Sequence, residues 1–389
     1  MAELALLVLN SGSSSLKFGV FLAEQGEVRP AFTGAVEGIG KGDGRMRLHS
    51  ADGREIHDRK HEISEQADAV AAIADDIRGL DLPPLAGIGH RVVHGGPSLR
   101  EHQRITPEVL EQLAAASEFA PLHVPVALKL IAAAQRSFPG VPEFACFDTV
   151  FHKTLPEAAA RFALPERFWK AGVRRYGFHG LSCESVLHAL GADAPRRIIV
   201  AHLGNGASAT AIADGVSVDT SMGLTPTGGV VMGTRTGDLD PGVLLHLLRT
   251  GVSGADELEK LLDKESGLLG ISGLSSDMRR LHEASDNRDA QMAIEMFCRS
   301  VQKTIAGLAA VLGGVELLVF TGGIGENDAA VRARICRGLE TFGIVLNAAS
   351  NNGYVEVISA SDSDVRVRII PSQEEAQIAR HCYRLLGNG

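Results

Sequence analysis

Three short apolar strands along this chain run straight into turns built from glycine and small polar residues. Leu6 to Leu9 leads into Asn10-Ser-Gly-Ser-Ser-Ser15, Ile198 to Ala201 into His202-Leu-Gly-Asn-Gly206, and Leu317 to Phe320 into Thr321-Gly-Gly-Ile-Gly-Glu-Asn327. Turns of this composition leave backbone N–H groups uncovered by side chains, which is what an anion such as a phosphate requires. The first two share a context, because the chain resumes as an apolar strand at Leu16 to Leu22 and again at Ala209 to Ala213, the latter followed by a turn at Asp214-Gly215. Two distant copies of one strand, turn and strand unit imply a duplicated domain, not a solenoid with a fixed short period.

Composition permits this and adds limits. At 389 residues the chain exceeds one ordinary core, so two domains are expected. A hydrophobic fraction of 45% with 22% charge is that of a water-soluble globular protein. The net charge of −9 argues against nucleic acid or an anionic membrane as partner. Glu316 breaks the apolar run from Leu308 to Phe320, and no other run reaches bilayer length. Met1 to Leu9 carries Glu3 and no basic residue, so it reads as a strand and not a signal peptide. Five cysteines, with no Cys-x-x-Cys pair, fit a reducing cytoplasm and argue against a zinc ribbon.

A coarse reading is mixed α/β. Helical composition is expected at Ala67 to Ile77, Pro107 to Ala116, Pro125 to Ser137 and Gln291 to Leu312, and buried strands at Phe144 to Val150 and Ile198 to Ala201. Ser221 to Pro241 is rich in glycine and threonine and reads as loop. Val365 to Ile370 is a last strand, after which Ser372-Gln-Glu-Glu375 is expected to open a C-terminal helix as a capping box.

Nine stretches follow one another in a recognisable order: Asn10-Ser-Gly-Ser-Ser-Ser-Leu-Lys-Phe18, His90-Arg-Val-Val-His-Gly-Gly96, Ala120-Pro-Leu-His123, Phe147-Asp-Thr-Val-Phe-His152, Tyr176-Gly-Phe-His-Gly180, His202-Leu-Gly-Asn-Gly-Ala-Ser208, Met232-Gly-Thr-Arg-Thr-Gly-Asp-Leu-Asp-Pro241, Ser275-Ser-Asp-Met-Arg279 and Thr321 to Asn327. By them the chain resembles the acetate and propionate kinases, within the sugar-kinase, Hsp70 and actin superfamily. The resemblance covers essentially the whole chain. It implies two duplicated α/β domains of the ribonuclease H-like type with a nucleotide cleft between them. Residues 1–150 plus a C-terminal helix at 376–389 would form the acceptor-side domain, and residues 151–375 the nucleotide-binding domain. The implied activity is reversible, direct in-line transfer of the ATP γ-phosphoryl group to acetate, giving acetyl phosphate and ADP, with propionate or another short-chain acid as the alternative acceptor. Mg²⁺, for which Mn²⁺ can substitute, and a homodimer are implied with it.

The residues can be tested against that chemistry. A carboxylate acceptor has a reference pKa of roughly 4.3 and is already ionised at neutral pH, so no general base is strictly needed. The difficulty is to bring an anion against a polyanionic phosphate chain, which calls for positive charge and hydrogen-bond donors. Arg91 and Arg235, each expected in a Gly-rich loop that could aim it into a cleft, suit this because guanidinium is always charged and forks two N–H groups toward one oxyanion. By resemblance Arg91 holds the carboxylate, Arg235 and His179 stabilise the phosphoryl group in flight, and Asp148 acts in proton transfer or in orienting the acceptor or a metal-bound water. Glu374 and Asn10 are implied as the Mg²⁺ residues, the acidic first turn of a helix being the other reading of Glu374. Lys17, His202, Gly204, Asn205, Gly206, Asp277, Arg279, Gly323, Gly325, Glu326 and Asn327 would bind the nucleotide. Val93, Leu122, Phe178 and Pro226 would enclose the acyl methyl, with His123 ordering the loop beside it. The pairs His90/His94 and Asp148/His152, each four apart, offer a metal-ligand spacing, but neither segment reads as helical, and buried histidines are the other reading. Val124, Thr227-Gly228 and Gln373 depart from the family's usual Asn, Leu-Glu and Asn. The first two neighbour the acyl pocket and bear on chain-length preference.

Overall fold

The computed structural model describes residues 3–12, 15–42, 44–60, 62–353 and 355–387. Met1 and Ala2 of the N-terminal strand, Ser13 and Ser14 of the first turn, and the last two residues of the expected C-terminal helix lie outside the described residues. The chain divides into two compact units, Met1–Val150 with Gln373–Gly389, and Phe151–Ser372. The C-terminal segment of the first unit therefore begins at Gln373, ahead of the expected residue 376, and carries Glu374 with it.

In the first unit β1 (Leu4–Ser11), β2 (Ser15–Glu24), β3 (Glu27–Glu37), β4 (Arg45–Ser50) and β5 (Glu55–Lys60) form an antiparallel meander. β6 (Leu85–Val92) adds parallel to β1, β8 (Glu143–Phe147) adds parallel to β6, and β7 (Gln103–Arg104) closes that edge, giving the order β5-β4-β3-β2-β1-β6-β8-β7. In the second unit β9 (Arg197–Leu203), β10 (Ala207–Ala213) and β11 (Val216–Thr220) form the meander, and β12 (Leu317–Thr321) and β13 (Arg366–Ile369) add in parallel, in the order β11-β10-β9-β12-β13. The series β3-β2-β1-β6-β8 and β11-β10-β9-β12-β13 are the same five-strand plan. Even the second hairpin turns agree: Gln25 and Gly26 have φ of 51° and 92°, Asp214 and Gly215 50° and 80°. Positive φ at both central residues is what a two-residue type I′ hairpin needs.

β1 is apolar along its length because both faces of its sheet are covered. Leu7, Leu9 and Ile88 pack with Ile73 of the helix Gln66–Arg78 and Leu130 of the helix Val124–Ser137. The C-terminal helix Glu374–Gly387 packs on β1 and β6 from the other side. Its close seat depends on Gly89, where a Cβ would lie 2.5 Å from Ile378 Cγ2 and 2.6 Å from Cys382 Sγ. In the second unit Ile198, Val200, Leu317 and Val319 pack with Cys183 and Val186 of the helix Gly180–Leu190.

Three local expectations are corrected. The strand expected over Phe144 to Val150 ends at Phe147: the Asp148 N–H makes a last bond to Val92 O at 3.0 Å, and a single 3₁₀ turn follows at Val150–Thr154. The third Gly-rich turn is a helix, Gly322–Asn327, that begins directly after β12. The capping box at Ser372 does not form. The Ser372 N–H bonds Glu326 Oε1 at 2.9 Å, the helix starts at Glu374, and the Glu375 carboxylate accepts from Asn10 Nδ2 at 2.8 Å. Elsewhere the helices Gln66–Arg78, Pro107–Ala115, Val124–Ser137 and Arg288–Leu312 lie where they were expected. Among the described residues no helix is long and apolar enough to cross a membrane.

Candidate active site

In an open sheet with parallel strands, ligands bind beyond the strands' carboxyl ends. In the first unit Asn10 lies at that end of β1, directly across from Lys17 of β2, and Asp148 lies just past the end of β8. Arg91 stands not in the expected Gly-rich loop but within β6, one residue before its end, where the strand's pairing with β1 and β8 fixes its backbone. Arg91 donates to both Asp148 oxygens, from Nε at 3.0 Å and Nη2 at 2.5 Å, and from Nη1 to Asn10 Oδ1 at 3.2 Å. Glu374 Oε2 lies 3.8 Å from Arg91 Nε. Burial alone would depress the guanidinium, but the charges of Asp148 and Glu374 more than offset it and hold its pKa above the ordinary value. Burial pushes the Asp148 carboxyl up against the pull of Arg91, and the two-pronged contact is that of a charged pair. Glu375, by accepting from Asn10 Nδ2, fixes that amide with its oxygen toward Arg91. Val93, Leu122 and His123 are half-buried in the same unit, His123 immediately before the helix Val124–Ser137.

The second unit presents donors. His179 is one of three non-glycine residues with positive φ among the described residues, at 57°, and stands at the start of the helix Gly180–Leu190. The left-handed conformation costs a residue with a Cβ about 1–2 kcal/mol. Its Nδ1 lies 2.9 Å from Ser208 Oγ and its ring stacks on His202 with centroids 4.2 Å apart. A hydroxyl hydrogen given by Ser208 to Nδ1 leaves the ring hydrogen on Nε2, which faces the β9–β10 turn. A Cβ placed on Gly206 would lie 3.3 Å from His179 Nε2 and 3.5 Å from Arg235 Nη1, so both nitrogens converge there. Arg235 Nη1 also bonds Pro226 O at 3.1 Å. Pro226 thus reaches this group through its carbonyl, and its ring and Phe178 are buried. His202 is aligned by a hydroxyl chain, Ser372 Oγ to Ser182 Oγ at 3.2 Å and Ser182 Oγ to His202 Nδ1 at 2.8 Å, which the sequence reading did not single out.

The residues expected to hold the nucleotide fall into two kinds. Lys17, Asn205, Gly323 and Asn327 are exposed, and Gly204 and Gly206 half-buried. Others are committed within the fold. Asp277 caps the helix Met278–Glu283 by accepting from Arg279 N at 3.0 Å and pairs with the Arg279 side chain at 2.7 Å. Glu326 Oε1 accepts from Gly322 N and Ser372 N, both at 2.9 Å, so it ties the helix Gly322–Asn327 to the end of β13. Gly325 is buried, and its carbonyl, with that of Glu326, accepts from Arg332 Nη1 at 2.9 Å. Arg332 is fully buried and also donates from Nε and Nη2 to Asn351. Nothing in the sequence marks it, because an arginine among Arg334 and Arg337 reads as part of a solvated face.

Among the described residues, neither His90 and His94 nor Asp148 and His152 belong to a group of three side chains placed to hold a metal ion. His90 Nε2 bonds the buried Glu143 at 2.7 Å in the middle of the sheet, and His94 Nδ1 accepts from Gly96 N at 2.8 Å. His152 donates from Nε2 to Phe178 O at 2.9 Å and lies 2.9 Å from Ser217 Oγ through Nδ1.

The acetokinase family model matches residues 5–380. An acetate kinase of Methylocella silvestris is 45% identical, over 98% of this chain and 98% of that protein. One of Streptomyces coelicolor is 42% identical, over 99% and 98%. Among solved structures, acetate kinase from Porphyromonas gingivalis superposes with a TM-score of 0.86 at 38% identity, covering 98% of this chain and all of that one. A propionate kinase from Francisella tularensis superposes with a TM-score of 0.90 at 36% identity, over the same shares. With these matches spanning nearly the whole chain, and with two α/β units built on one duplicated actin-like plan, the chain belongs to the acetokinase family.

Proposed function

We propose that this chain is a phosphotransferase that moves the ATP γ-phosphoryl group reversibly and in line to acetate, giving acetyl phosphate and ADP. The observation that carries the reading beyond family membership is the convergence of His179 Nε2 and Arg235 Nη1 on the β9–β10 turn. Two donors there suit a phosphoryl group whose charge spreads over its equatorial oxygens during transfer. The second unit is assigned the nucleotide and the first the acceptor.

Within the first unit, Arg91 has two N–H groups left after its bonds to Asp148 and Asn10. We assign these to the acetate carboxylate, and Asp148 to holding the guanidinium in position. Asp148, Glu374 and Glu375 outnumber the one arginine between them, and an oxygen-rich, net negative group of this kind fits Mg²⁺. Glu374 and Asn10 are the residues we assign to it, directly or through water. Bound there, the ion would neutralise phosphate charge. Asn10 would have to share its oxygen between the ion and Arg91.

We also propose a homodimer and a cytoplasmic location. In support of the first, the helix Pro241–Thr250 buries none of its residues and leaves Val243, Leu245 and Leu248 at least 40% exposed. In support of the second, all five cysteines are buried thiols held in no disulfide.

The test is acyl phosphate trapped as hydroxamate with acetate, propionate and butyrate as acceptors. Acetate is expected to be used best. A preference for propionate would make the chain a propionate kinase instead, and no hydroxamate with any acid would overturn the reading.

A further inference from the structure

We infer that His152 is a positioning residue that holds His179 in its left-handed backbone conformation and so fixes where its imidazole points. Three observations in the second unit carry this. The carbonyl immediately before His179, that of Phe178, accepts from His152 Nε2 at 2.9 Å, so the peptide that leads into His179 is pinned from below. The ring doing the pinning is itself held, with Ser217 Oγ 2.9 Å from Nδ1, and His152 is buried to 3% exposure. Gly177 then closes over the ring: its φ is +72°, and a Cβ there would lie 2.6 Å from His152 Cγ and 2.6 Å from Thr220 Cγ2. Gly177-Phe178-His179 is thereby clamped between a buried, hydrogen-bonded imidazole and the helix Gly180–Leu190. A conformation of this kind persists only where its surroundings over-determine it.

The alignment is directional. A carbonyl can only accept, so Nε2 carries the hydrogen, and in the neutral ring Nδ1 accepts from the Ser217 hydroxyl. Burial supports the neutral form, since it depresses the His152 pKa to about 4. His152 is given no contact with a reacting atom. It acts through the Phe178 peptide on the direction of His179 Nε2, which faces Gly206 beside Arg235.

The activity arm of the test rests on the transfer reaction proposed above, whereas the spectroscopic arm does not. Selective ¹⁵N labelling of histidine reports the tautomer and environment of the His179 ring. In His152→Leu, which fills similar space without a donor, the His179 resonances are expected to shift and broaden, while His152→Gln, whose amide can donate to Phe178 O, keeps them near wild type. In the hydroxamate assay His152→Leu is expected to lower kcat on the order of 100-fold, the effect of a small misplacement at the reacting centre. KM for MgATP should stay within about twofold, because only the transition-state contact is lost. In a His179→Ala background the same substitution should cost little more. Unchanged His179 resonances in His152→Leu, or a loss that adds in full to that of His179→Ala, overturns the inference whatever the absolute rate. If His152→Leu does not fold, Ser217→Ala replaces it, and wild-type resonances together with wild-type kcat in that variant overturn it equally. Failure of wild type to make any acyl phosphate would remove the proposed reaction, and the resonances would still decide the role of His152.

Discussion

Arg91, one residue before the end of β6, holds Asp148, the first residue past the adjacent parallel β8, with two N–H groups of one guanidinium at 3.0 and 2.5 Å. Removing the arginine leaves Asp148 buried beside Glu374 with its partner gone, which costs about 3 kcal/mol or more of stability. Arg235 bonds a backbone carbonyl instead. Arg91→Ala is therefore expected to lower both melting temperature and turnover. Arg235→Ala is expected to lower turnover by about 10²–10³, the worth of one donor to a developing oxyanion, with ADP affinity near wild type. Lysine should rescue neither, since it cannot reproduce the fork. Calorimetric ADP titration with steady-state rates checks both, and near-normal turnover in either alanine variant removes that arginine from the mechanism.

Glu374 and Glu375 are adjacent in sequence but differently engaged, one facing Arg91 and the other holding the Asn10 amide. Glu374→Ala is expected to raise the Mg²⁺ concentration needed for half-maximal rate far more than the KM for acetate. Glu375→Ala should have the smaller effect, through a freed Asn10. Magnesium saturation curves for the two variants decide this, and an unchanged curve in Glu374→Ala assigns that residue to its helix end alone.

The buried, neutral state of His152 makes a stability prediction with a definite sign. Its folded pKa is depressed to about 4 by burial, against an unfolded value of 6.5. Between those pH values the unfolded chain binds the extra proton, so stability rises with pH in that window. The contribution is complete above pH 6.5, is lost as pH falls toward 4, and amounts to about 3 kcal/mol. Urea unfolding from pH 7 to 4 should show a shallower acid limb in His152→Gln, which has nothing to titrate there. Equal slopes in the two proteins would mean that His152 is charged in the fold.

What was legible in the chain follows from what each interaction depends on. The hairpins at Asn10 and His202 could be read because apolar strands and Gly-rich turns are local patterns, and the same holds for the helices from Gln66 and Arg288. The Ser372 capping box was misread because Glu326, 46 residues away, competes for the same N–H, a partner that no local pattern contains. The helix Gly322–Asn327 was hidden by three glycines, poor helix formers, and the Glu326 carboxylate that caps it and the Arg332 guanidinium that holds its end act from side chains whose direction only the fold decides. Among candidate site residues, Arg91 and His179 were marked by motif, whereas the Pro226 carbonyl and the Ser182 hydroxyl belong to a backbone group and an ordinary helix residue.

Acceptor choice is expected to turn on Val93, two residues beyond Arg91 and just past the end of β6. Arg91 and Val93 are half-buried while Val92 and His94 between and after them are buried, the alternation expected when two side chains leave one face of a strand together. A valine beside the guanidinium that holds a carboxylate would meet the carbon attached to that carboxylate, and a pocket wall of this kind discriminates by about 1–3 kcal/mol per methylene. Wild type is therefore expected to prefer acetate to propionate modestly and to butyrate strongly. Val93→Ala should raise the relative use of both longer acids, because two methyl groups are removed from the wall while the Arg91 pair with Asp148 is left in place. Specificity constants for the three acids at saturating MgATP, measured on both proteins, are the check. Identical ratios would take Val93 out of the pocket, and a wild-type preference for propionate would assign the chain to the longer substrate.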